Sequence, residues 1–314
     1  MMRYTVLICI AALSIFVDAA EVKKEILWKS DTPVVSISAS RNNACLALVV
    51  KEDDECVLKL LNFACDKIIA DKTVVKCKKI SCVEFSGNDK ICYIRNGNEF
   101  SIYNINDSST QMLVDAEKAI LSPDAEKILL LQKGSLSIQC LNGNKVTGKA
   151  IQRKGASPEA WLNNEEFIFS RDGCLFKSTS SGEAELMVKG DPYSPWFVGG
   201  SVSPDGKKIM AFSDDTKANV GAAARSLWLF SIGKKELRQL SSASLALWLS
   251  SDSIVMMKNG ELVKANINSG GGIETLFKGN VESLAVSDGK IFISEGRLDD
   301  IGLYENSCLR IIKP

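Results

Sequence analysis

Histidine is absent from all 314 residues. Its absence excludes Ser-His-Asp and Cys-His catalysis and every histidine-ligated metal site. No Gly-x-Ser-x-Gly elbow occurs either, so the strand-to-helix nucleophile turn of an α/β-hydrolase is missing. Net charge is lacking too: 38 Lys and Arg balance 38 Asp and Glu. With no basic field to steer the chain onto a polyphosphate, no nucleic-acid partner is expected. Nor does any stretch after the N-terminal segment sustain a 3.6-residue apolar period, which argues against helices.

What is present is ordinary globular material, 46% hydrophobic and 24% charged, enough for a large core. The N-terminus reads as a signal peptide over 1–19. Arg3 precedes an apolar stretch from Thr5 to Val17, and cleavage after Ala19 places Val17 and Ala19 at the two recognised positions. The stretch is shorter than the ~20 residues that span a bilayer. Residues 20–314 are then expected to be exported, periplasmic or secreted, with no membrane span after the leader is removed.

The remainder is a succession of short apolar runs separated by Gly, Asn, Asp and Ser turns. The runs are Leu46 to Val50, Ile91 to Ile94, Ile128 to Leu131, Phe167 to Phe169, Ile209 to Phe212, Ile254 to Met257 and Ile291 to Ile293. Aligning them exposes a repeat. Its clearest unit is Ser201-Val-Ser-Pro-Asp-Gly-Lys-Lys-Ile-Met-Ala-Phe212, followed by Ser226-Leu-Trp-Leu-Phe230 and Lys234-Lys-Glu-Leu-Arg-Gln-Leu240. Weaker copies begin near Ser38, Val83, Ala119, Trp161, Trp248 and Val286, at intervals of about 36 to 47 residues, the length of one four-stranded propeller blade. Pro fixes φ at the second turn position, Asp bonds its own backbone and Gly accepts positive φ, so Ser203 to Gly206 is a hairpin device. The expected fold is all-β, a single seven-bladed β-propeller of four-stranded antiparallel blades, with six blades as the alternative. Ring closure stays open: Lys23-Lys-Glu-Ile-Leu-Trp28 resembles the outermost-strand segment Lys234 to Gln239, and Cys308-Leu-Arg-Ile-Ile312 is a second candidate for the same place.

The segment Ser203-Pro-Asp-Gly-Lys-Lys-Ile-Met-Ala-Phe-Ser-Asp-Asp215 resembles the repeat of TolB-type, WD40-like propellers, a repeat also found in the propeller part of prolyl-oligopeptidase-like enzymes. The resemblance spans about residues 34 to 312. It implies binding of a protein or peptide. A peptidase reading would need a hydrolase domain of about 200 residues or more, for which no chain remains.

Of ten cysteines, Cys9 lies in the leader, and Cys45, Cys56, Cys65, Cys77, Cys82 and Cys92 crowd the first third. None forms a CxxC, so zinc is not indicated; some are open to pairing in an oxidising compartment, with connectivity undetermined. Candidate acids for histidine-free glycoside chemistry, Glu99, Glu165, Glu166, Asp172, Asp191 and Asp215, sit in or beside turns, and no Ser-x-Asp-x-Gly-x-x-Trp pattern occurs. The acidic pairs Asp53-Asp54, Asp214-Asp215 and Asp299-Asp300 fall at hairpin tips without calcium-loop spacing. Lys72, Lys76, Lys78 and Lys79 read as a charged edge strand. In Asp191-Pro-Tyr-Ser-Pro-Trp-Phe197, stiffened by two prolines, Tyr193, Trp196 and Phe197 are the candidate binding anchors; the alternative is that Trp196 and Phe197 pack between blades.

The resulting expectation is a non-enzymatic, monomeric protein- or peptide-binding scaffold with no catalytic residue, metal or cofactor. The competing reading is a carbohydrate-binding or carbohydrate-cleaving propeller, which two inward carboxylates in the channel would favour.

Overall fold

The computed structural model describes residues 23–314, except 41, 43, 65–66, 87–88, 143–144, 191–195, 215–224, 269–271 and 299–303. The expected leader therefore lies outside the described residues. Among those described, no helix is long and apolar enough to cross a membrane.

Strand β1 (Lys23–Ser30) is followed by seven groups. Blade one is β2 (Val34–Ala39), β3 (Cys45–Glu52), β4 (Glu55–Ala64) and β5 (Lys67–Cys77). Blade two is β6 (Ile80–Ser86), β7 (Lys90–Arg95), β8 (Glu99–Asn104) and β9 (Thr110–Asp115), and blade three is β10 (Lys118–Leu121), β11 (Lys127–Gln132), β12 (Ser135–Asn142) and β13 (Lys145–Lys154). Blade four is β14 (Ala156–Trp161), β15 (Glu166–Arg171), β16 (Cys174–Thr179) and β17 (Ala184–Val188); blade five is β18 (Trp196–Val202), β19 (Lys208–Asp214), β20 (Arg225–Ser231) and β21 (Glu236–Ala243). Blade six is β22 (Leu245–Ser250), β23 (Ser253–Lys258), β24 (Glu261–Asn266) and β25 (Ile273–Lys278), and blade seven begins with β26 (Val281–Ser287), β27 (Lys290–Leu298) and β28 (Tyr304–Lys313). Each sheet is antiparallel with neighbours in sequence order, and β1 completes blade seven outside β28. The protein is a seven-bladed β-propeller.

Both closure candidates lie in that last blade. Cys308 to Ile312 belongs to β28, and the N-terminal strand pairs along it from Lys23↔Lys313 to Ser30↔Ser307. Ladder hydrogen bonds between the two ends of the chain thus close the ring, which leaves no blade with a missing edge.

The first strands of adjacent blades touch one another around the ring, β2 against β6 and β26 and β14 against β10 and β18, so they lie nearest the axis. The seven apolar runs of the sequence are the second strands. They are continuous rather than alternating because neighbouring blades cover both their faces. In β3, Leu46, Leu48 and Val50 pack toward blade seven, while Ala47 and Val49 pack toward blade two. One such apolar layer fills each of the seven junctions between blades. Two tryptophans pin junctions with directed bonds: Trp161 Nε1 donates to the Ile120 carbonyl at 3.1 Å, and Trp248 Nε1 to the Ser201 carbonyl at 3.3 Å.

The repeat turn has a third participant beyond Pro and Asp. Ser203 Oγ donates to Asp205 Oδ1 at 2.6 Å and accepts the Lys208 N–H at 2.9 Å; Ser122 does the same with Asp124 at 2.5 Å and Lys127 at 2.9 Å. Both serines are buried. Hydrogen bonding from the serine is the leading reason that the Asp205 and Asp124 carboxyls titrate below their ordinary value. Gly206 takes φ +70°. Ala125 occupies the equivalent place at φ 58°, a conformation disfavoured for any residue with a Cβ.

Candidate functional site

Near the axis, the ends of the innermost strands of blades two to five surround a cavity of about 380 Å³, within the range of small-ligand sites. Its walls include Glu84 and Phe85 from β6, Ala119 to Leu121 from β10, Glu159 to Trp161 from β14 and Gly200 to Val202 from β18. The two carboxylates among these residues come from blades two and four, and Lys118 of blade three stands between them.

Glu159 is aimed by a β-bulge. The β14–β15 register jumps between Pro158↔Phe169 and Ala160↔Ile168, which leaves Glu159 without a strand partner; such an insertion re-aims a side chain. Its carboxylate is almost dry, the side chain being 3% exposed, and each oxygen has its own donor. Lys118 Nζ lies 3.0 Å from Oε2, and Ser170 Oγ donates to Oε1 at 2.6 Å. Gly200 of the next blade lies beside it: a Cβ there would sit 3.7 Å from that of Glu159.

Glu84 sits beside a second irregularity, where the β6–β7 register shifts between Ser81 and Glu84. Water reaches its side chain, yet the surrounding blades enclose the carboxyl. Desolvation raises its pKa above the ordinary value, and the Lys118 charge opposes that rise. Two thiols share the neighbourhood. Cys82, in the bulge at φ 51°, and buried Cys92, which also lines the cavity, both titrate high because they are desolvated. They remain thiols near neutrality, so neither is an activated nucleophile. The arrangement therefore offers a carboxyl able to exchange a proton nearer neutrality than a solvated one, beside an ammonium held in place by a second carboxylate.

The binding anchors expected from the sequence are not gathered at this site. Phe197 is 1% exposed and packs edge-on against Trp228, ring centroids 6.0 Å apart, in the layer between blades four and five. It therefore takes the inward alternative. Trp196 opens β18 opposite Asp214, and Tyr193 lies outside the described residues. Among the candidate acids, Glu99, Glu165 and Glu166 are engaged by Arg95, Lys127 and Lys177 at 2.5, 2.5 and 3.0 Å, and Asp172 is in a turn. Asp191, Asp215 and the Asp299-Asp300 pair lie outside the described residues. Asp53 and Asp54 form the tip of the β3–β4 hairpin. Lys72 and Lys76 lie on β5, the exposed edge of blade one, where Lys76 meets Glu52 and Glu55, each at 3.4 Å. Among the described residues, no group of three or more Cys, Asp or Glu is placed to hold a metal ion.

Glu84, Lys118 and Glu159 are absent from the sequence-derived candidates. The available signal was positional: all three precede a repeat turn, on the strand nearest the axis, where a charged residue faces the channel.

No family model matches the chain, and no curated protein matches it. Solved structures of the same shape exist. An oligogalacturonate lyase in complex with manganese superposes with a TM-score of 0.66 at 11% identity, over 93% of this chain and 96% of the other. An oligogalacturonate lyase from Vibrio parahaemolyticus gives 0.68 at 10% identity, over 94% of each. At such identity the likeness shows the fold, a propeller, and gives no support to the TolB-type family in particular. It nonetheless corrects the expectation of a non-enzymatic protein- or peptide-binding scaffold, because both of these structures are oligogalacturonate lyases, which favours the competing carbohydrate reading. The physical reason is that the candidate acids lie in or beside turns, whereas the cavity carboxylates Glu84 and Glu159 sit within the innermost strands.

Proposed function

We propose that this chain is a carbohydrate-cleaving propeller that takes an acidic oligosaccharide into its axial channel. The observation that carries the reading is a pair of carboxylates, Glu84 and Glu159, in the wall of one cavity, with the Lys118 ammonium of the intervening blade bonded to Glu159 and acting on the charge of Glu84. A uronate substrate brings its own carboxylate, and an ammonium is the complementary group for it. In an eliminative cleavage the proton on the carbon next to that carboxylate is removed, the bond from the following carbon to the glycosidic oxygen breaks, and a double bond forms between the two carbons. The oxygen leaves with a proton. Lys118 would neutralise the substrate carboxylate and so acidify the neighbouring proton, Glu84 would accept or return the proton, and Glu159 would hold Lys118 in position.

One neighbour holds manganese. The described residues do not fit that ion: manganese favours several oxygen ligands, and among the described residues no group of three or more Cys, Asp or Glu is placed to hold a metal. The proposed chemistry is therefore assigned to Glu84 and Lys118 alone. The leader-like segment supports an exported location.

The test is incubation with oligogalacturonate in the presence of a chelator, following the ultraviolet absorbance of the new double bond conjugated to the carboxylate. Glu84→Gln should lower the rate by about a hundredfold or more. New reducing ends without absorbance would replace elimination by hydrolysis. Neither product nor saturable binding of the oligosaccharide would refute the reading.

A further inference from the structure

The eight cysteines of the described residues are all free thiols, but two of them face each other. In the β4–β5 ladder Cys56 is the register partner of Cys77. Both side chains pack, half-buried, against the same apolar layer between blades one and two, so they project from the same face of the sheet. Directly opposed residues of an antiparallel ladder have Cα atoms about 4.5 to 5.5 Å apart, and a disulfide needs about 4.4 to 6.8 Å. We propose that Cys56 and Cys77 are a redox-modification site, closing a cross-strand disulfide that staples the outermost strand of blade one.

The location gives the bridge a task. Strand β5 is a long, largely exposed edge carrying Lys67, Lys72 and Lys76. It touches β1, the strand that closes the ring. Beyond ladder bonds, β5 makes weak surface contacts, Lys72 in its middle with Ser108 at 2.6 Å and Lys76 near its C-terminal end with Glu52 and Glu55. A covalent link at its C-terminal end fixes the edge beside the closing seam. The alternative partner in the same layer is out of reach: Cys45 lies opposite Asn62, six positions along β4 from Cys56 and about 20 Å away at strand rise. Oxidation balances by thiol–disulfide exchange with an external disulfide. The Cys56 and Cys77 thiols and one glutathione disulfide yield the Cys56–Cys77 bond and two glutathione thiols, both protons passing to the released thiols.

The full chain is incubated with glutathione disulfide, alkylated and peptide-mapped without reduction. The proposal expects one disulfide-linked species joining the Cys56 and Cys77 peptides, lost on reduction. Cys56→Ala and Cys77→Ala should lack it and carry glutathione on the remaining thiol. Oxidation should raise the apparent melting temperature of the unmutated chain by about 5 °C, the order expected for closing a loop of some twenty residues, and leave the double variant Cys56→Ala/Cys77→Ala unmoved. Recovery of the two cysteines as free thiols or as separate glutathione adducts overturns the proposal, as does a bridge from either to another cysteine. The map of the unmutated chain decides the matter even if a variant folds poorly.

Discussion

The pairing of Lys118 with Glu159 can be measured by a double-mutant cycle. The carboxylate is 3% exposed and the ammonium 33%, so the pair lies between two regimes. Exposed ion pairs contribute about 0 to 1 kcal/mol, whereas removing one partner of a buried pair costs about 3 to 5 kcal/mol. Lys118→Met leaves an almost dry carboxylate with Ser170 as its remaining hydrogen-bond donor, which should destabilise by about 2 to 3 kcal/mol. Glu159→Gln keeps the shape and the Ser170 contact but takes from the ammonium its hydrogen-bonded counter-charge, at about 1 to 2 kcal/mol. The double variant removes both charges and should recover part of the loss, giving a coupling energy of about 2 kcal/mol. Urea unfolding at neutral pH measures all four proteins, with equal m-values as the check that compactness is unchanged. Because the carboxylate is shielded, raising the salt should reduce the coupling only slightly. A coupling below about 0.5 kcal/mol would mean that the ammonium is not held by Glu159, and the positioning assigned to that residue would be lost.

Glu84→Gln should stabilise the fold near neutrality while removing activity. The folded-state pKa of Glu84 lies above its ordinary value of 4.5, so its favourable contribution is complete below that value and is lost as pH rises through the folded pKa. The melting-temperature difference between variant and unmutated protein should accordingly open as pH climbs above 4.5, and a difference constant across the series would contradict the desolvated site. At the repeat turns, Gly206→Ala should cost about 1 kcal/mol from positive φ alone, since the nearest atom to a new Cβ is the Leu162 carbonyl at 3.7 Å. The reverse change at the equivalent place, Ala125→Gly, should stabilise by about 0.5 kcal/mol after the entropy of glycine is deducted; thermal scans that give both substitutions the same sign would refute the shared turn geometry. Phe197→Ala should destabilise by about 3 to 5 kcal/mol in the same denaturation assay, and a change under about 1 kcal/mol would be incompatible with its place between blades four and five.

The architecture was legible because each blade junction demands the same residues. Second strands covered on both faces, such as Ile91 to Ile94, must be apolar at every position, and the turns before them are built from small polar residues, Gly and, in two repeats, Pro. The apolar runs recur seven times and stand out without a structure. Ring closure was not legible, since Lys23 to Trp28 and Cys308 to Ile312 have equal strand character and end up side by side in one blade. The aromatic segment ending in Phe197 looked like a surface loop because of its prolines, but β18 begins at Trp196, so Phe197 falls under the packing rule of a strand. The site was hidden by bulges. One extra residue moves a side chain to the other face of a strand, so no alternation pattern places Glu159 at the channel, and nothing local marks Glu84, Lys118 and Glu159 as neighbours when 34 and 41 positions separate them in sequence.

The two glutamates are chemically identical, and their surroundings divide the work between them. Glu159 has both oxygens occupied, by Lys118 and Ser170, and almost no contact with water. A carboxylate so engaged is an anchor, poorly suited to taking a proton from anything else. Glu84 reaches the channel water and is enclosed by protein, with a pKa raised by desolvation and restrained by the nearby ammonium. That environment moves a carboxyl's proton exchange upward from the range of a solvated one. The propeller places these groups on strands: three consecutive innermost strands converge on the axis, the bulge in β14 and the irregularity in β6 lie at the two carboxylates, and the lysine between them ties the anchor and the proposed proton carrier into a single electrostatic unit.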